Sequence, residues 1–324
     1  MTVLYLHQYF NTPKMSGGTR SYEMARRMVK KGHQVHMVTS KRNTSCKRRI
    51  WREEIIDGIN VYWLSVPYDN KMNFYKRLIA FFIYAFEAGR KAIAINGDIV
   101  FATSTPLTIA IPAIKTKKKL KIPMVFEVRD LWPELPIAIG AIKNPILIYL
   151  AKRLERWAYS NSNEIVVLSP GMSEGVAKTG YPIENIHIIP NSSDISFFQL
   201  NKKLKIGLQN KYKWNVGDKI IIYTGTLGEI NGVEYLVDIA NEFIEINNKV
   251  KFLIVGDGIE EQAIRNKAKI YNCLDNNLFL INQLPKNKMP GLYNLSTIAT
   301  SLFIPLKEME ANSANKFFDT LAAG

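Results

Sequence analysis

Five stretches of this 324-residue sequence carry residue types that suit work on an anionic, hydroxyl-rich ligand. Ser16-Gly17-Gly18-Thr19-Arg20 follows the first strand-length run and opens a helix. Glycines there let backbone approach a ligand, and free N–H groups at a helix start favour phosphate, although Gly17 and Gly18 would equally make a plain tight turn. Glu127 to Glu134, EVRDLWPE, places Arg129 and Asp130 just after a buried strand, where Asp130 can orient a sugar hydroxyl or take its proton. A local ion pair of Arg129 with Glu134 is the alternative. Gly225-Thr226-Leu227-Gly228-Glu229-Ile230-Asn231-Gly232 and Gly256-Asp257-Gly258 are two glycine-rich strand exits, either simple turns or the lining of a nucleotide site. In Glu308 to Gly324, Ser313 and Asn315 stand near a helix start beside Lys316, a combination that suits phosphate. Asp319 follows Asn315 by four residues, about one helical turn, so both can face one ligand.

Other chemistries are excluded or left without support. The spacing G-x-G-x-x-G is absent, and the second strand ends in Ser40-Lys41-Arg42 rather than in an acidic residue for a ribose, which counts against NAD. Cys46 and Cys273 lie far apart without partners at metal-ligand spacing, so neither a disulfide scaffold nor a zinc site is expected. No RNA-recognition aromatic signature or zinc finger accompanies the basic residues, so nucleic acid is not the expected partner.

Charge is unevenly spread. The net +15 comes from 28 basic and 14 acidic residues in 1–190, against 15 and 14 in 191–324. A one-sided basic field favours an anionic partner such as a phosphorylated substrate or an anionic membrane leaflet. Residues 71–91 put bulky apolar side chains between basic ends, and Lys115 to Lys121, KTKKKLK, ends another helix. Both suit a membrane surface, and both suit a core helix with solvated ends. The apolar run Leu78 to Phe86 is far shorter than the roughly 20 residues a spanning helix needs. The start MTVLYLHQYF lacks the pattern of a signal peptide, so a cytoplasmic chain is expected.

Apolar runs of strand length alternate with amphipathic stretches throughout, the pattern of parallel sheets covered by helices. Strands are predicted at 3–7, 35–39, 61–65, 99–103, 124–128, 165–168 and 187–189, then at 220–223, 251–255, 277–281 and 298–302. The clearest helix is 22–31, stopped by Gly32. A polar, turn-rich stretch, PNSSDISFF at 190–198, suits a hinge. The expectation is an α/β chain of two tandem doubly wound domains, 1–190 and 191–324, with ligands at the carboxyl ends of the strands, in a cleft where the domains face each other.

The motifs LYLHQYFNTPKMSGGTRSYEMAR, FEVRDLWPELP, VLSPGM, IIPNSSD and ANSANKFFDTLAAG together resemble the retaining family-4 glycosyltransferases of the GT-B fold, particularly those of bacterial O-antigen and capsule synthesis that transfer N-acetylfucosamine-type sugars. The resemblance implies a UDP-sugar held mainly by the second domain and a lipid-linked saccharide acceptor held mainly by the first, at the inner face of the cytoplasmic membrane. It places Gly17 and Gly18 near the diphosphate. Asp319 matches the second of two family glutamates, the one that holds the ribose, and the first falls on Ala311, so Glu310 with Asn312 is expected at the donor sugar. Gln283 and Leu284 sit where family backbone meets the base. The family's basic pair falls on Thr226 and Asn231, leaving Lys316 and its helix start to meet the diphosphate, with Asn315 and Gly225 alongside. The family's frequent His falls on Arg129, which cannot act as a base because a guanidinium stays protonated; Asp130 is retained.

The implied mechanism is attack by the acceptor hydroxyl from the face the diphosphate leaves, with a phosphate oxygen taking the proton. It requires no metal and no resident cofactor, and no Asp-x-Asp run occurs. In the family the glycine matching Gly324 precedes further strands and helices, so an incomplete second domain is expected. An inactive fragment of such an enzyme is the alternative, and a nucleotide-sugar epimerase is a third reading that lacks its Tyr-x-x-x-Lys pair.

Overall fold

β-branched and aromatic runs that are apolar on both faces can be buried only in the middle of a helix-covered sheet. A computed structural model places these runs in two such sheets; it describes residues 1–41, 49–67, 72, 74–198, 207, 210–212, 214, 215, 217–247 and 249–324. Cys46, Arg42 and parts of 71–73 lie outside the described residues. The chain divides into two compact units: unit 1 comprises 1–10, 19–190 and 306–313, and unit 2 comprises 11–18, 191–305 and 314–324.

Unit 1 carries eight strands: β1 Thr2–Leu6, β2 Gln34–Lys41, β3 Trp51–Ile56, β4 Ile59–Ser65, β5 Ile99–Thr103, β6 Met124–Val128, β7 Glu164–Val167 and β8 Ile186–Ile188. Their order across the sheet is β3-β4-β2-β1-β5-β6-β7-β8. All neighbours pair parallel except β3 with β4. Register aligns Leu6 with Val38 on one side and Ala102 on the other, so β1 and β5 end within one residue of the same level while β2 runs three residues farther to Lys41. Strand β3 is the element the sequence pattern missed, because WREEII is a largely exposed edge without an apolar face.

The helices of unit 1 are α1 Arg20–Lys30, α2 Phe74–Ile95, α3 Ala110–Leu120, α4 Glu134–Ala138, α5 Pro145–Ser160 and α6 Pro170–Ala177. Ala80, Phe81, Tyr84, Ala88 and Ala92 turn one face of α2 into the core beside Ala113 and Ile114 of α3. That helix is thus chiefly a core element.

Unit 2 carries β9 Lys219–Thr224, β10 Val250–Val255, β11 Leu278–Ile281 and β12 Ile298–Thr300, in the parallel order β11-β10-β9-β12. Its helices are α7 Glu234–Ile246, α8 Glu261–Ile270, α9 Met289–Tyr293 and α10 Asn315–Ala323. The stretch expected as a hinge contributes to this unit, since Phe198 is buried against Tyr293.

One buried ion pair fixes the polar end of the first sheet. Arg20 Nε lies 2.9 Å from Glu127 Oε1, with the side chains 6% and 0% exposed. Thr103 Oγ1 donates to the other carboxylate oxygen, and the Arg20 guanidinium also donates to the carbonyls of Ile189 and Pro190 at 2.8 and 2.7 Å. One guanidinium therefore ties α1, β6 and the chain beyond β8. Breaking such a pair leaves an uncompensated buried charge, at a cost of about 3–5 kcal/mol. Arg20→Ala should lower the unfolding free energy of unit 1 by that amount in chemical denaturation, and an unchanged midpoint would contradict the assignment.

Candidate functional site

The strongest feature of unit 2 is a lysine turned inward. Lys316, in the first turn of α10, donates from Nζ to the Tyr223 hydroxyl at 3.0 Å and sits 4.1 Å from the centre of the Tyr223 ring. Burial holds its pKa down at about 8. Among the described residues no carboxylate pairs with it, so the ammonium meets only a hydroxyl, ring faces and backbone.

Gly225 makes room for that ammonium. It has φ +147°, and a Cβ built there would stand 3.0 Å from Lys316 Nζ. Gly225 N–H bonds to the Val255 carbonyl and Leu227 N–H to the Asp257 carbonyl, both at 3.0 Å. These bonds bring the two glycine-rich exits together so closely that a Cβ on Gly256 would lie 1.9 Å from the Gly225 oxygen. Gly256 and Gly258 are therefore explained by backbone packing, while Gly225 faces the lysine.

Helix α10 begins at Asn315, after an N-cap, Ala314, that offers no side-chain acceptor to the helix. Its first N–H groups thus lack the usual Ser, Thr or Asp cap, and they carry the partial positive charge of the helix start. One turn on, the buried carboxylate of Asp319 accepts from Ser193 Oγ at 2.7 Å and forms an ion pair with Lys286 Nζ. An ionised carboxylate has about four acceptor positions, so capacity for ligand hydroxyls remains.

Lys286 also anchors the first glycine loop. Its N–H donates to the Met15 carbonyl at 3.2 Å and Asn287 N–H to the Pro13 carbonyl at 3.0 Å, so residues 11–18 belong to the same unit as Lys316 and Asp319. Gly17 has φ +111°, and a Cβ there would meet Asn11 Nδ2 at 2.8 Å.

The remaining expected residues of unit 2 are peripheral to this lysine. Thr226 is exposed, and its carbonyl accepts from the Tyr223 hydroxyl. Asn231 lies in the short turn Glu229–Asn231. Gln283 is exposed, whereas Leu284 is half-buried and packs on the core. Lys286 and Ser193 were not anticipated, because no local spacing connects them to Asp319.

Unit 1 holds the other group. Asp130 lines a small cavity with Leu131, Met172, Met309, Ala311 and Asn312. Burial pushes its carboxyl pKa upward, against the opposing pull of Arg129 and of a Thr105 hydroxyl at 3.5 Å. Arg129 N–H is held by Ser104 Oγ at 3.0 Å. Asp130 and Asn312 are thus brought together, while Glu310 is exposed and Glu308 lines the cavity in its stead. Ala311 is seated where its carbonyl accepts from Ser169 Oγ at 2.6 Å, and a Cβ on Gly171 would meet the Ala311 Cβ at 2.9 Å. Glu134 and Arg129 form no ion pair; Glu134 instead acts with burial on Glu155, whose pKa the two raise to about 8. Among the described residues, no group of His, Cys, Asp and Glu could hold a metal ion.

The model of Glycosyltransferase Family 4 matches residues 17–197, and that of Glycosyl transferases group 1 matches residues 206–314. A protein of Escherichia coli named as colanic acid biosynthesis glycosyl transferase WcaI is 24% identical over 278 residues, covering 80% of this chain and 66% of that protein. The glycosyltransferase named WbjE of Pseudomonas aeruginosa is 23% identical over 211 residues, covering 64% of this chain and 52% of that protein. The chain thus spans less than two thirds of either relative. Among solved structures, Anabaena HepE in complex with UDP and glucose superposes with a TM-score of 0.68 at 12% identity, covering all of this chain and 78% of that one. The fold is therefore GT-B, with two Rossmann-like parallel-sheet units.

A buried lysine whose pKa falls from 10.5 to about 8 weakens the fold wherever it must stay charged. The unfolded chain binds the extra proton between those values, so this cost is full below about pH 8 and fades as pH rises towards 10.5. Lys316→Met should consequently leave the midpoint of thermal unfolding at pH 7 unchanged or raise it, with the difference vanishing at high pH. A lysine kept for packing would instead give a lower midpoint.

Proposed function

The chain belongs to glycosyltransferase family 4, and from that membership we propose that it moves an N-acetylated hexosamine or deoxyhexosamine from a UDP-sugar to a lipid-linked saccharide, with retention, in the synthesis of a bacterial surface polysaccharide. It works as a peripheral protein at the inner face of the cytoplasmic membrane. Supporting the first part are the matches to WcaI, named for colanic acid biosynthesis, and to WbjE, named as a glycosyltransferase. The basic excess of residues 1–190 supports the second.

The observation that carries the reading is the Lys316 ammonium at an uncapped helix start, turned towards Gly225 and lacking a carboxylate. Breaking a sugar–phosphate bond leaves negative charge on the departing diphosphate. A fixed cation and aligned N–H groups stabilise that charge as it forms, without waiting for solvent to reorient. Lys316, Asn315 and the backbone at Gly225 meet the diphosphate, with the Gly17-Gly18 loop on the same unit. Asp319, held by Lys286 and Ser193, takes the ribose hydroxyls. Backbone at Gln283 and Leu284 receives the uracil. In unit 1, Asp130 and Asn312 line the cavity that takes sugar hydroxyls, and Arg129 adds positive charge beside Asp130. The raised pKa of Asp130 brings it nearer the range in which a carboxylate exchanges protons.

Incubation with UDP-sugars and lipid-diphosphate saccharides, followed by product analysis, tests the reading. Lys316→Ala and Asp319→Ala should each lower turnover by about tenfold or more, the first through loss of a charge-assisted contact to a developing anion and the second through loss of the carboxylate that takes the ribose hydroxyls. Undiminished rates in both variants would refute the assignment.

A further inference from the structure

Helix α5 buries its one acid and turns apolar and basic side chains outward. At 100° per residue, Ile146, Tyr149, Leu150 and Trp157 fall within about 100° of arc. They are 68%, 63%, 51% and 37% exposed. The opposite side of the helix carries Glu155, the only acid of α5, buried at 3% exposure. A solvent-facing helix would show the reverse pattern. Cations accompany the exposed stripe, Arg153 within its arc and Arg156 and Lys152 beside it; all three are exposed, and α5 has no exposed acid.

The neighbouring elements continue the pattern. Helix α3 packs against both α5 and α2 and shows Lys115, Lys118 and Lys119 to solvent. Lys115 Nζ lies 5.1 Å from the ring of Phe86, one of the exposed aromatic residues of α2. Among the described residues, no helix is long and apolar enough to cross a membrane.

We propose that the outer face of α5, flanked by the lysines of α3, is the seat of an anionic lipid bilayer, with Ile146 and Leu150 entering the acyl boundary, Tyr149 and Trp157 at headgroup depth, and the cations on lipid phosphates. This refines the peripheral placement proposed above and stands apart from the transfer reaction. Aliphatic and aromatic residues beside Lys and Arg are what an interfacial helix needs. Each cation near an anionic leaflet adds to binding, whereas a second copy of this face would bring Lys152, Arg153 and Arg156 against their own counterparts with no acid between them. The charge therefore selects lipid over self-association.

Co-sedimentation of the full chain with vesicles containing no sugar acceptor or donor tests this surface independently of transfer. Binding to equimolar phosphatidylglycerol and phosphatidylcholine should exceed binding to phosphatidylcholine alone by about tenfold or more and should weaken in high salt. Ile146→Glu with Leu150→Glu, at exposed sites that leave the core intact, should abolish binding with the circular dichroism spectrum and melting midpoint preserved. Lys152→Gln with Arg153→Gln should remove the preference for anionic lipid. Undiminished binding by the double-glutamate variant would overturn the proposal. So would a dimer in sedimentation velocity that the same variant dissolves while vesicles fail to bind, since the face would then join two copies.

Discussion

An ammonium taken out of water without a carboxylate beside it is costly, and unit 2 is arranged around one. The Lys316 ammonium is met by the Tyr223 hydroxyl and by two aromatic faces, contacts of the kind that offset part of such a cost. The offset is incomplete, as the fall of its pKa to about 8 records. In the function proposed above, an incoming diphosphate supplies the missing negative charge, and instability in the free protein and affinity for the donor become two consequences of one desolvated charge.

Two buried carboxylates are matched to partners more fully. Asp319 is held by Lys286 and Ser193, and Lys286 extends the same network through its backbone to Met15. Glu127 is closed by Arg20 and Thr103, and Arg20 in turn by the carbonyls of Ile189 and Pro190. These networks fix strand ends and loops; the Arg20–Glu127 network is scaffolding alone, whereas Asp319 keeps acceptor capacity for the ligand hydroxyls proposed above. Asp130 is intermediate, buried enough to shift its pKa upward yet lining a cavity with Asn312.

Much of this was legible in the residues. Near-continuous apolar strands alternating with helices announced two parallel sheets, and the glycine exits and the Asn315-Lys316 pair each stood out at the end of an element. Their meeting was not legible, because Gly225 and Lys316 are joined only by the folding of β9 against the chain that leads to α10. Lys286 looked like any turn lysine for the same reason. Strand β3 was hidden by its exposed, polar composition. Helix α5 is apolar on both faces, so its periodicity could not say which side met the core until Ala158 and Tyr159 were seen buried and Ile146 exposed. At position 311 the family glutamate is absent, and the close approach of Gly171 and Ser169 shows a site filled by backbone packing.

The pH dependence of UDP affinity tests the central claim most directly. Calorimetric titration from about pH 7 to about pH 10, above the second ionisation of the diphosphate near 6, isolates the lysine from its ligand. Affinity should be level to about pH 8 and then fall by up to tenfold per pH unit as Lys316 loses its proton. An affinity that stays level across that range, or a dependence that persists unchanged in Lys316→Met, would contradict the account.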